Sequence, residues 1–258
     1  LGSIAVQNDG RIVAAGIIDF VDYGDDYFRT AIVRYDGGKF RSTPFDFDGD
    51  GRSDTAVWRP SNGIWYLNRS SEGFTAMTWG VASDKLVPAD YDGDRKADIA
   101  VWRPSNGTWY IVRSSTGDLV TQRWGEPGDI PVPADFDGDG KADLTVFRPS
   151  NGIWYRISSS SSTISLTAYG QSGDKPVVGD YDADGRADLA VFRPSNGTWY
   201  IQQTSDGYVV RQLGDNGSTA VPADYNGDGR MDPAVYDPLQ RLWKVLRPNS
   251  LTDEFHFS

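Results

Sequence analysis

The feature that most constrains this chain is an internal repeat. An acidic segment of nine residues returns five times at intervals of 44 or 45 residues, and much of the sequence around it returns as well. A unit of that length cannot bury both faces of its own sheet, so neighbouring units must cover each other. The repeat therefore predicts an array of similar units that stack on one another.

Each unit has the pattern of four short strands. In the second copy, β-rich stretches cover residues 87–91, 98–104, 108–113 and 119–125. An Asn-Gly pair separates the second stretch from the third, which predicts a type I′ hairpin with positive φ at both central residues. Four consecutive strands per unit are typical of a propeller blade. We therefore predict an all-β fold, a β-propeller of four-stranded antiparallel blades.

Two rows of aromatic residues recur at fixed positions in the units. Because aromatic side chains bury the largest apolar area, we expect them to fill the space between adjacent sheets, with sugar-stacking platforms as the alternative. The second strands carry Trp58, Trp102, Phe147, Phe192 and Tyr236, and the third strands carry Trp65, Trp109, Trp154, Trp199 and Trp243.

The segment before the first acidic loop differs from the repeats. Residues 4–16 and 30–38 read as hairpin strands, but the acidic loop is missing. We interpret residues 1–43 as a divergent amino-terminal blade and residues 44–258 as five loop repeats, within a single domain over residues 1–258. Six equal parts of the chain would each be close to the repeat period, so the predicted number of blades is six.

The acidic loops carry oxygen-bearing side chains at positions one, three, five and nine. Carboxylates packed this closely repel one another unless a cation lies between them. With no Cys and His256 as the one histidine, hard oxygen donors favour Ca²⁺, and we expect about five ions. The candidate ligands are Asp46, Asp48, Asp50, Asp54, Asp90, Asp92, Asp94, Asp98, Asp135, Asp137, Asp139, Asp143, Asp180, Asp182, Asp184, Asp188, Asp224, Asn226, Asp228 and Asp232.

Two loops depart from the pattern. Glycine occupies position six in four loops, where a positive φ would let the backbone fold around an ion, but the second loop has Arg95. We expect that loop to be strained and its site weaker. The fifth loop has Asn226 at position three, which lowers the ligand charge.

Charge and residue inventory limit the function. The formal charge of −11 argues against nucleic acid, and five Ca²⁺ would neutralise most of it. No run of about eighteen apolar residues occurs, so we expect no membrane span. A single histidine excludes His-based triads, and the clustered carboxylates are better explained as ligands than as an acid/base pair. We therefore expect a protein that is not an enzyme.

An arginine recurs once per unit at the end of the second strand. A repeated residue argues for a structural role, and we predict that these arginines bridge blades by pairing with an aspartate in the loop before the next first strand. The arginines are Arg59, Arg103, Arg148 and Arg193, the candidate partners are Asp84, Asp129, Asp174 and Asp215, and Asp237 replaces the arginine in the last unit.

Four Asn-x-Ser/Thr sequons are candidate glycosylation sites in a secreted chain. The alternative is that asparagine is present for turn chemistry, because Asn-Gly belongs to the predicted hairpins. The sequons begin at Asn68, Asn106, Asn196 and Asn216.

The motif Asp-x-Asp-x-Asp-Gly-x-x-Asp, followed by Ala-Val-Phe-Arg-Pro-Ser-Asn-Gly-Thr-Trp-Tyr, resembles the FG-GAP/VCBS-type calcium-binding repeats of exported bacterial proteins and the calcium-binding blades of integrin α-subunit propellers. The resemblance covers residues 44–246, and residues 4–40 resemble a delta-sixty repeat. It implies calcium between the first two strands of each blade and an extracellular or cell-surface setting, in a bacterium.

These observations favour a calcium-rigidified protein of cell-surface adhesion or of self-assembly into extracellular fibres. The expected partners are the chain itself, as a homopolymer, or surface glycans and proteins. The first alternative is a carbohydrate-binding lectin that uses Trp79 and Trp124 of the outer strands as stacking faces. The second is a calcium-dependent hydrolase.

Overall fold

The computed structural model describes residues 3–6, 12–15, 29–31, 44–247 and 252–256. By its contacts the chain divides into two compact units, Leu1–Pro127 and Gly128–Ser258, and the boundary falls between two sheets. The prediction of one domain over residues 1–258 stays a prediction.

Five four-stranded antiparallel sheets, here called blades 1 to 5, make up most of the described chain, and the strands of each follow one another in sequence order. Strands β1 (Ser3–Val6) and β2 (Ile12–Ala15) pair in a separate two-stranded sheet. Blades 1 and 2 are β3 (Arg29–Ala31), β4 (Thr55–Arg59), β5 (Ile64–Arg69) and β6 (Gly73–Thr78), then β7 (Lys85–Leu86), β8 (Ile99–Arg103), β9 (Thr108–Val112) and β10 (Leu119–Arg123).

Blades 3 to 5 belong to the second unit. They are β11 (Ile130–Pro131), β12 (Leu144–Arg148), β13 (Ile153–Ile157) and β14 (Ile164–Ala168), then β15 (Lys175–Pro176), β16 (Leu189–Arg193), β17 (Thr198–Gln202) and β18 (Tyr208–Gln212), then β19 (Thr219–Ala220), β20 (Ala234–Asp237), β21 (Leu242–Leu246) and β22 (Thr252–His256). A short 3₁₀ turn covers Pro194–Asn196. The carboxy-terminal strand is the outer strand of blade 5, as the sequence suggested.

The predicted blade number of six is wrong, because the described residues form five blades. The segment before the first loop supplies β3, which pairs with β4 as the first strand of blade 1. The remaining described residues of that segment form only the β1–β2 hairpin, which confirms a hairpin over residues 4–16 but leaves two strands too few for a blade. The first strands of the other blades are two residues long. In blade 2 the strand is Lys85–Leu86, so the predicted stretch over residues 87–91 was placed too late, although Ala89 forms a single bridge with Asp98.

The repeated aromatic residues form the core, as predicted. In the first unit, Trp58, Trp65 and Leu67 pack with Val101 in one buried cluster. In the second unit, the rings of Phe147 and Trp154 lie 5.1 Å apart between centroids, and Trp154 is 2% exposed. Side chains this well buried cannot serve as sugar-stacking platforms. Tyr236 of the last blade is half-buried.

Each Trp pair is fixed by one shared acceptor in the first unit. The indole N–H groups of Trp102 and Trp109 both donate to the carbonyl oxygen of Trp124, at 3.0 and 2.9 Å. Trp58 and Trp65 donate to the carbonyl of Trp79 in the same way. Because a carbonyl oxygen accepts two hydrogen bonds, one backbone group satisfies two buried donors. The arrangement locks the second, third and fourth strands of a blade together.

The hairpin between the second and third strands is confirmed, but its predicted turn type is wrong. In blade 2 the loop has four residues, Pro-Ser-Asn-Gly, and Gly107 at its end has positive φ while Asn106 does not. The Gly107 amide donates to the carbonyl of Arg103 at 2.9 Å. A Cβ on Gly107 would lie 2.1 Å from the carbonyl oxygen of Gly125, so glycine is required by both conformation and space.

The recurring arginines pair with aspartate inside their own blade. Arg103 Nε and Nη2 donate to the two carboxylate oxygens of Asp84 at 2.8 and 2.9 Å, and Asp84 immediately precedes β7 of the same blade. Arg148 pairs with Asp129 and Arg193 with Asp174 in the same way. The partner type was predicted, but the prediction that these pairs bridge successive blades is wrong.

Candidate metal centres

The first aspartate of each loop shapes the loop backbone. In the second loop, Asp90 Oδ1 accepts from the Gly93 amide at 2.6 Å and Oδ2 accepts from the Arg95 amide at 2.8 Å. The same two contacts occur in all five loops, from positions four and six to position one. These Asx-type contacts curl the chain, and they require positive φ at positions four and six.

The ninth aspartate connects the loop to the rest of its blade. Asp98 Oδ2 accepts from the Tyr91 amide at 2.8 Å, which closes the loop. Its Oδ1 accepts from the amide of Ser114 at 2.6 Å, in the turn between the third and fourth strands. Asp98 is fully buried. A single carboxylate therefore joins the loop, the second strand and the outer hairpin.

The structure brings together three carboxylates in each of the first four loops, with one oxygen of each within 4.8 Å of the others. In the first three loops these are the aspartates at positions one, three and five, and in the fourth they are those at positions one, three and nine. The groups are Asp46, Asp48 and Asp50; Asp90, Asp92 and Asp94; Asp135, Asp137 and Asp139; and Asp180, Asp182 and Asp188. Within the described residues, the fifth loop with Asn226 forms no such carboxylate triplet.

Burial raises the pKa of most carboxyl groups at positions one and nine, and neighbouring carboxylates raise it further. For Asp188 and Asp232, burial raises the pKa to about 6 although backbone amides donate to both. The pKa is also raised by burial in Asp46, Asp54, Asp90, Asp98, Asp135 and Asp143. A raised pKa means that the charged form lacks compensation, which a cation would supply.

The carboxylates at position three behave in the opposite way. Burial alone would raise the pKa of Asp48, but hydrogen bonds from the Ser71 amide and hydroxyl outweigh it and lower the pKa. The same balance lowers the pKa of Asp137 and Asp182. Asp48, Asp137 and Asp182 are therefore held charged by donors of their own blades.

Those donors are a pair of hydroxyl residues that sequence reasoning missed. The pair lies in the turn after the third strand, and it contacts positions three, five and nine of the loop in the same blade. Ser115 Oγ donates to Asp92 at 2.6 Å. Ser114 Oγ lies 2.7 Å from Asp98 and 3.0 Å from Asp94, and its one hydrogen is shared between the two carboxylates. The pairs are Ser70 and Ser71, Ser114 and Ser115, Ser159 and Ser160, and Thr204 and Ser205.

The sequence carries a signal for this pair, because two adjacent hydroxyl residues return with the same period as the acidic loops. In the fifth repeat the pair is replaced by Pro248 and Asn249, which lie outside the described residues. Proline has no amide hydrogen, so it cannot donate the contact that Ser114 makes in blade 2. The last repeat thus lacks the pair and also has Asn226 in its loop.

Neighbouring loops of one unit are joined by their backbones. The Ala97 amide of the second loop donates to the carbonyl of Asp46 in the first loop at 2.6 Å. In the second unit, the Ala187 amide donates to Asp135 and the Met231 amide to Asp180, both at 2.7 Å. The loops of successive blades therefore form a connected row within each unit.

The donor set fits a hard divalent cation. Clustered carboxylate oxygens, without nitrogen or sulfur ligands, suit Ca²⁺ and Mg²⁺, and the spacing in a flexible loop favours the larger ion. A carboxylate has about four lone-pair sites, so an oxygen that accepts from an amide can still bind a metal. The residues that would hold the ion are the aspartates at positions one, three, five and nine.

Two loop residues are held in a strained conformation. Arg95, at position six of the second loop, has φ of 71°, and Ala183, at position four of the fourth loop, has φ of 64°. Glycine occupies the equivalent positions of the other loops, where φ lies between 78° and 97°. The predicted strain at Arg95 is therefore found in the backbone, and a weaker site there stays a prediction.

The other sequence-predicted sites lie apart from the loops. Asn68, Asn106, Asn196 and Asn216 are exposed, but the Asn106 side chain accepts from the Thr108 amide and donates to Tyr110, as a turn residue does. Asn196 makes the same contacts in blade 4. Glycosylation at these positions stays a prediction. Trp79 and Trp124 are half-buried, and the Trp79 indole donates to the carbonyl of Tyr110.

Four-stranded antiparallel meanders, repeated along the chain, define an all-β protein of the propeller class. A family model, the FG-GAP-like repeat, matches residues 46–101, 90–146, 135–191 and 180–235, more than half of the chain. The chain belongs to the FG-GAP-like repeat family. A comparison with curated protein sequences finds no match. None of the helical segments in the described part has the length and hydropathy to cross a membrane.

Solved structures with a similar fold include two lyases and a lectin. A streptogramin B lyase is 12% identical, with a TM-score of 0.56 over 100% of this chain and 76% of that chain. A virginiamycin B lyase from Staphylococcus aureus is 13% identical, with a TM-score of 0.56 over 99% and 83%. A lectin from Agrocybe aegerita that recognises non-reducing terminal N-acetylglucosamine is 16% identical, with a TM-score of 0.57 over 83% and 66%. Identities this low show the fold alone.

Proposed function

We propose that this chain is a non-enzymatic, extracellular calcium-binding protein whose blades are stabilised by one ion per loop, in the manner of the FG-GAP/VCBS-type repeats and integrin α blades that its motif resembles. The observation that carries the proposal is the set of carboxylate triplets with oxygens within 4.8 Å of one another. Buried carboxylates in such groups are costly without a counter-charge. About five Ca²⁺ would offset most of the formal charge of −11.

The ion would act as a cross-link within each blade. Positions one to nine precede the second strand, with position nine directly before it in blades 1 to 4, and the hydroxyl pair brings the turn of the outer hairpin to the same carboxylates. Calcium supplies the positive charge that lets these groups approach. Anything that binds the folded state alone stabilises it by mass action, so stability should rise with free calcium.

Calcium titration of metal-stripped protein tests the metal proposal. We expect calorimetric binding with a stoichiometry of about five and a rise in melting temperature on addition of calcium. Asp94→Asn should remove or weaken one site, whereas Asp118→Asn, an exposed acid outside the loops, should leave the stoichiometry unchanged. A melting temperature that does not respond to calcium would refute the metal proposal.

Adhesion or self-assembly at a bacterial surface is the activity that we assign to this scaffold. The motif resemblance to exported bacterial proteins supports it, and so do exposed apolar side chains on outer strands. Phe74 on β6, Leu166 on β14 and Tyr208 on β18 are 68%, 60% and 57% exposed. Apolar residues on edge strands favour association with another chain.

Sedimentation velocity tests self-assembly. We expect larger species as protein concentration rises in calcium, and Leu166→Lys should reduce them, whereas Thr167→Lys on the same strand should have less effect. A monomer at every concentration would refute self-assembly and leave a different surface ligand to be found. Immunolabelling of the source cell tests the extracellular location, and labelling confined to the interior would refute it.

The lectin and hydrolase alternatives have their own tests. A lectin would bind glycans on a glycan array. The outer-strand residues Trp79 and Trp124, the candidate stacking faces for a sugar, are half-buried, which does not favour this alternative. A calcium-dependent hydrolase would release phosphate from phosphate esters. The repetition of the acidic groups, once per blade, favours a structural role over either one.

A further inference from the structure

Blade 3 breaks the repeat at one cross-strand pair. In the other four blades an alanine on the second strand lies opposite an aliphatic residue on the third, and both are buried. The pairs are Ala56 and Leu67, Ala100 and Ile111, Ala190 and Ile201, and Ala234 and Val245. In blade 3 the same positions hold Thr145 and Arg156. Two polar residues thus replace two apolar ones at this one cross-strand pair.

Both substituted side chains have polar atoms without a partner. Thr145 is 1% exposed, and neither its Oγ1 nor the Nε of Arg156 has a hydrogen-bond partner among the described residues. The nearest acid to that nitrogen is Asp143, whose Oδ2 lies 4.0 Å away, beyond hydrogen-bond distance. Buried polar groups are normally paired, because an unpaired one keeps the full cost of its desolvation.

Asp143 is already engaged by other donors. Its Oδ1 accepts from the amide of Ser159 at 2.7 Å, and its Oδ2 accepts from the amide of Phe136 at 3.1 Å. The guanidinium of Arg156 lies over the ring of Phe136, 5.2 Å from the centroid. The arginine therefore packs over the aromatic ring, and its Nε is left without a hydrogen-bond partner among the described residues.

A cavity of about 220 Å³ opens at this pair. Thr145, Arg156, Ser165 and Thr167 line it from blade 3, and Gln202 and Thr204 line it from blade 4 of the same unit. Arg156 is the single charged residue in that lining. The volume is below the roughly 300–1,000 Å³ usual for larger ligands, so the occupant must be small.

We propose that this cavity binds a small hydroxylated carboxylate, a sugar acid of the uronate class. A guanidinium pairs with a carboxylate through two parallel hydrogen bonds, which would satisfy the Arg156 donors. The hydroxyl and amide side chains around it suit the ring hydroxyls of a sugar, and Phe136 and Trp154 supply an apolar wall. None of the lining residues is a candidate metal ligand, but the Thr204 hydroxyl contacts Asp184 and Asp188, so the calcium concentration is held fixed in the test.

Calorimetric titration with glucuronate tests the site, with glucose and inorganic phosphate as the other arms, all at one fixed calcium concentration. We expect glucuronate to bind and the other two to bind at least about tenfold more weakly. Arg156→Ile should abolish binding, and Thr145→Ala should weaken it. Both variants install the residue that other blades carry at that position, so they should fold, and circular dichroism checks this. Arg211→Gln, which removes an exposed arginine of β18, should bind as the wild type does.

The other outcomes overturn the proposal. Equal binding of glucose would refute the role of the carboxylate, and equal binding of phosphate would refute the role of the sugar ring. Unchanged binding by Arg156→Ile, or no glucuronate binding by the wild type, would refute the site itself. Calcium stoichiometry is measured independently on the same samples, so failure here is distinguishable from failure of the calcium proposal.

Discussion

Asp98 and Ser114 form a double contact across blade 2. The Asp98 Oδ1 accepts from the Ser114 amide at 2.6 Å and from its hydroxyl at 2.7 Å, across sixteen residues of sequence. The same hydroxyl oxygen lies 3.0 Å from Asp94, so its one hydrogen is shared between the two carboxylates. Ser114 thereby orients two candidate metal ligands, one at the centre of the loop and one at its end. A ligand orientated in advance binds metal more tightly.

Ser114→Ala should weaken the second metal site without removing it. The amide contact to Asp98 stays, but the hydroxyl contacts to Asp94 and Asp98 are lost. We expect about tenfold lower calcium affinity at one site and about 1 kcal/mol lower free energy of unfolding. Calorimetry and urea denaturation measure the two. Ser105→Ala, in the exposed turn after β8, is the matched control and should change neither. Equal effects of both changes would contradict the positioning role.

The stability of the metal-free protein should depend on pH through Asp188 and Asp232. Burial raises the pKa of both from an ordinary value of 3.8 to about 6. Between about pH 4 and pH 6, the folded state therefore binds more protons than the unfolded state. The stabilisation by protonation is fully present below about pH 4 and is lost as the pH rises through about 6.

Urea denaturation of metal-stripped protein at several pH values between 4 and 7 measures this effect. We expect the free energy of unfolding to fall as the pH rises, by an amount on the order of 1–3 kcal/mol for each group. Asp188→Asn should flatten the dependence, and saturating calcium should reverse it, because the ion compensates the charged form. A stability that rises with pH in the absence of metal would contradict the prediction.

Periodicity made much of the fold predictable. A hairpin turn and a buried aromatic residue each have a sequence signature only a few residues long, and these signatures recur from one repeat to the next. Trp102 and Trp109 are core residues for this reason, and the loops around Asp90 and Asp135 form as nine-residue turns. The blade number was not predictable, because β3 lies well before the first acidic loop, in a segment that does not share the repeated sequence, and still pairs with β4.

Contacts between distant residues of one blade were harder to predict. Ser114 is a small polar residue in an exposed turn, and nothing local links it to Asp98. Arg103 was expected to reach the next blade, but antiparallel pairing of β7 with β8 places it beside Asp84 of its own blade. An alignment of the repeats shows that Thr145 replaces an alanine that the other four blades share. The structure adds that Arg156 lies directly opposite Thr145 on the neighbouring strand.

Arg95→Gly should stabilise the second loop. Arg95 has φ of 71°, in the left-handed region that costs a non-glycine residue about 1–2 kcal/mol. Its amide, which donates to Asp90, is retained in the variant. We expect a free energy of unfolding higher by about 1 kcal/mol, partly offset by the greater freedom of glycine when unfolded, and tighter calcium binding at one site.

The reverse change in the third loop is the control for Arg95→Gly. Gly140 has φ of 87°, and a Cβ there would meet no atom within 4 Å. Gly140→Arg therefore adds backbone strain without a clash, and it should destabilise by about the amount that Arg95→Gly stabilises. Chemical denaturation of both variants in calcium measures the two effects. Changes of the same sign would contradict the role of backbone strain.

Arg103→Gln should destabilise the protein more than any other change considered above. Asp84 is 1% exposed, and its carboxylate receives two charge-assisted hydrogen bonds from Arg103. Loss of the guanidinium leaves the buried Asp84 carboxylate with a backbone donor, the Val81 amide, but without a counter-charge, and breaking a buried ion pair costs about 3–5 kcal/mol. The last blade is the natural comparison, because Asp237 stands there in place of the arginine, Ser218 stands in place of Asp84 immediately before the first strand, and the nearby Asp215 is exposed. Asp215→Asn should therefore change the free energy of unfolding by only about 0.5 kcal/mol.

The double variant Asp84→Asn with Arg103→Gln should recover part of the loss, and a double-mutant cycle by urea denaturation measures the coupling between the two side chains. A coupling near zero would show that the ion pair does not hold the first strand of a blade to the second.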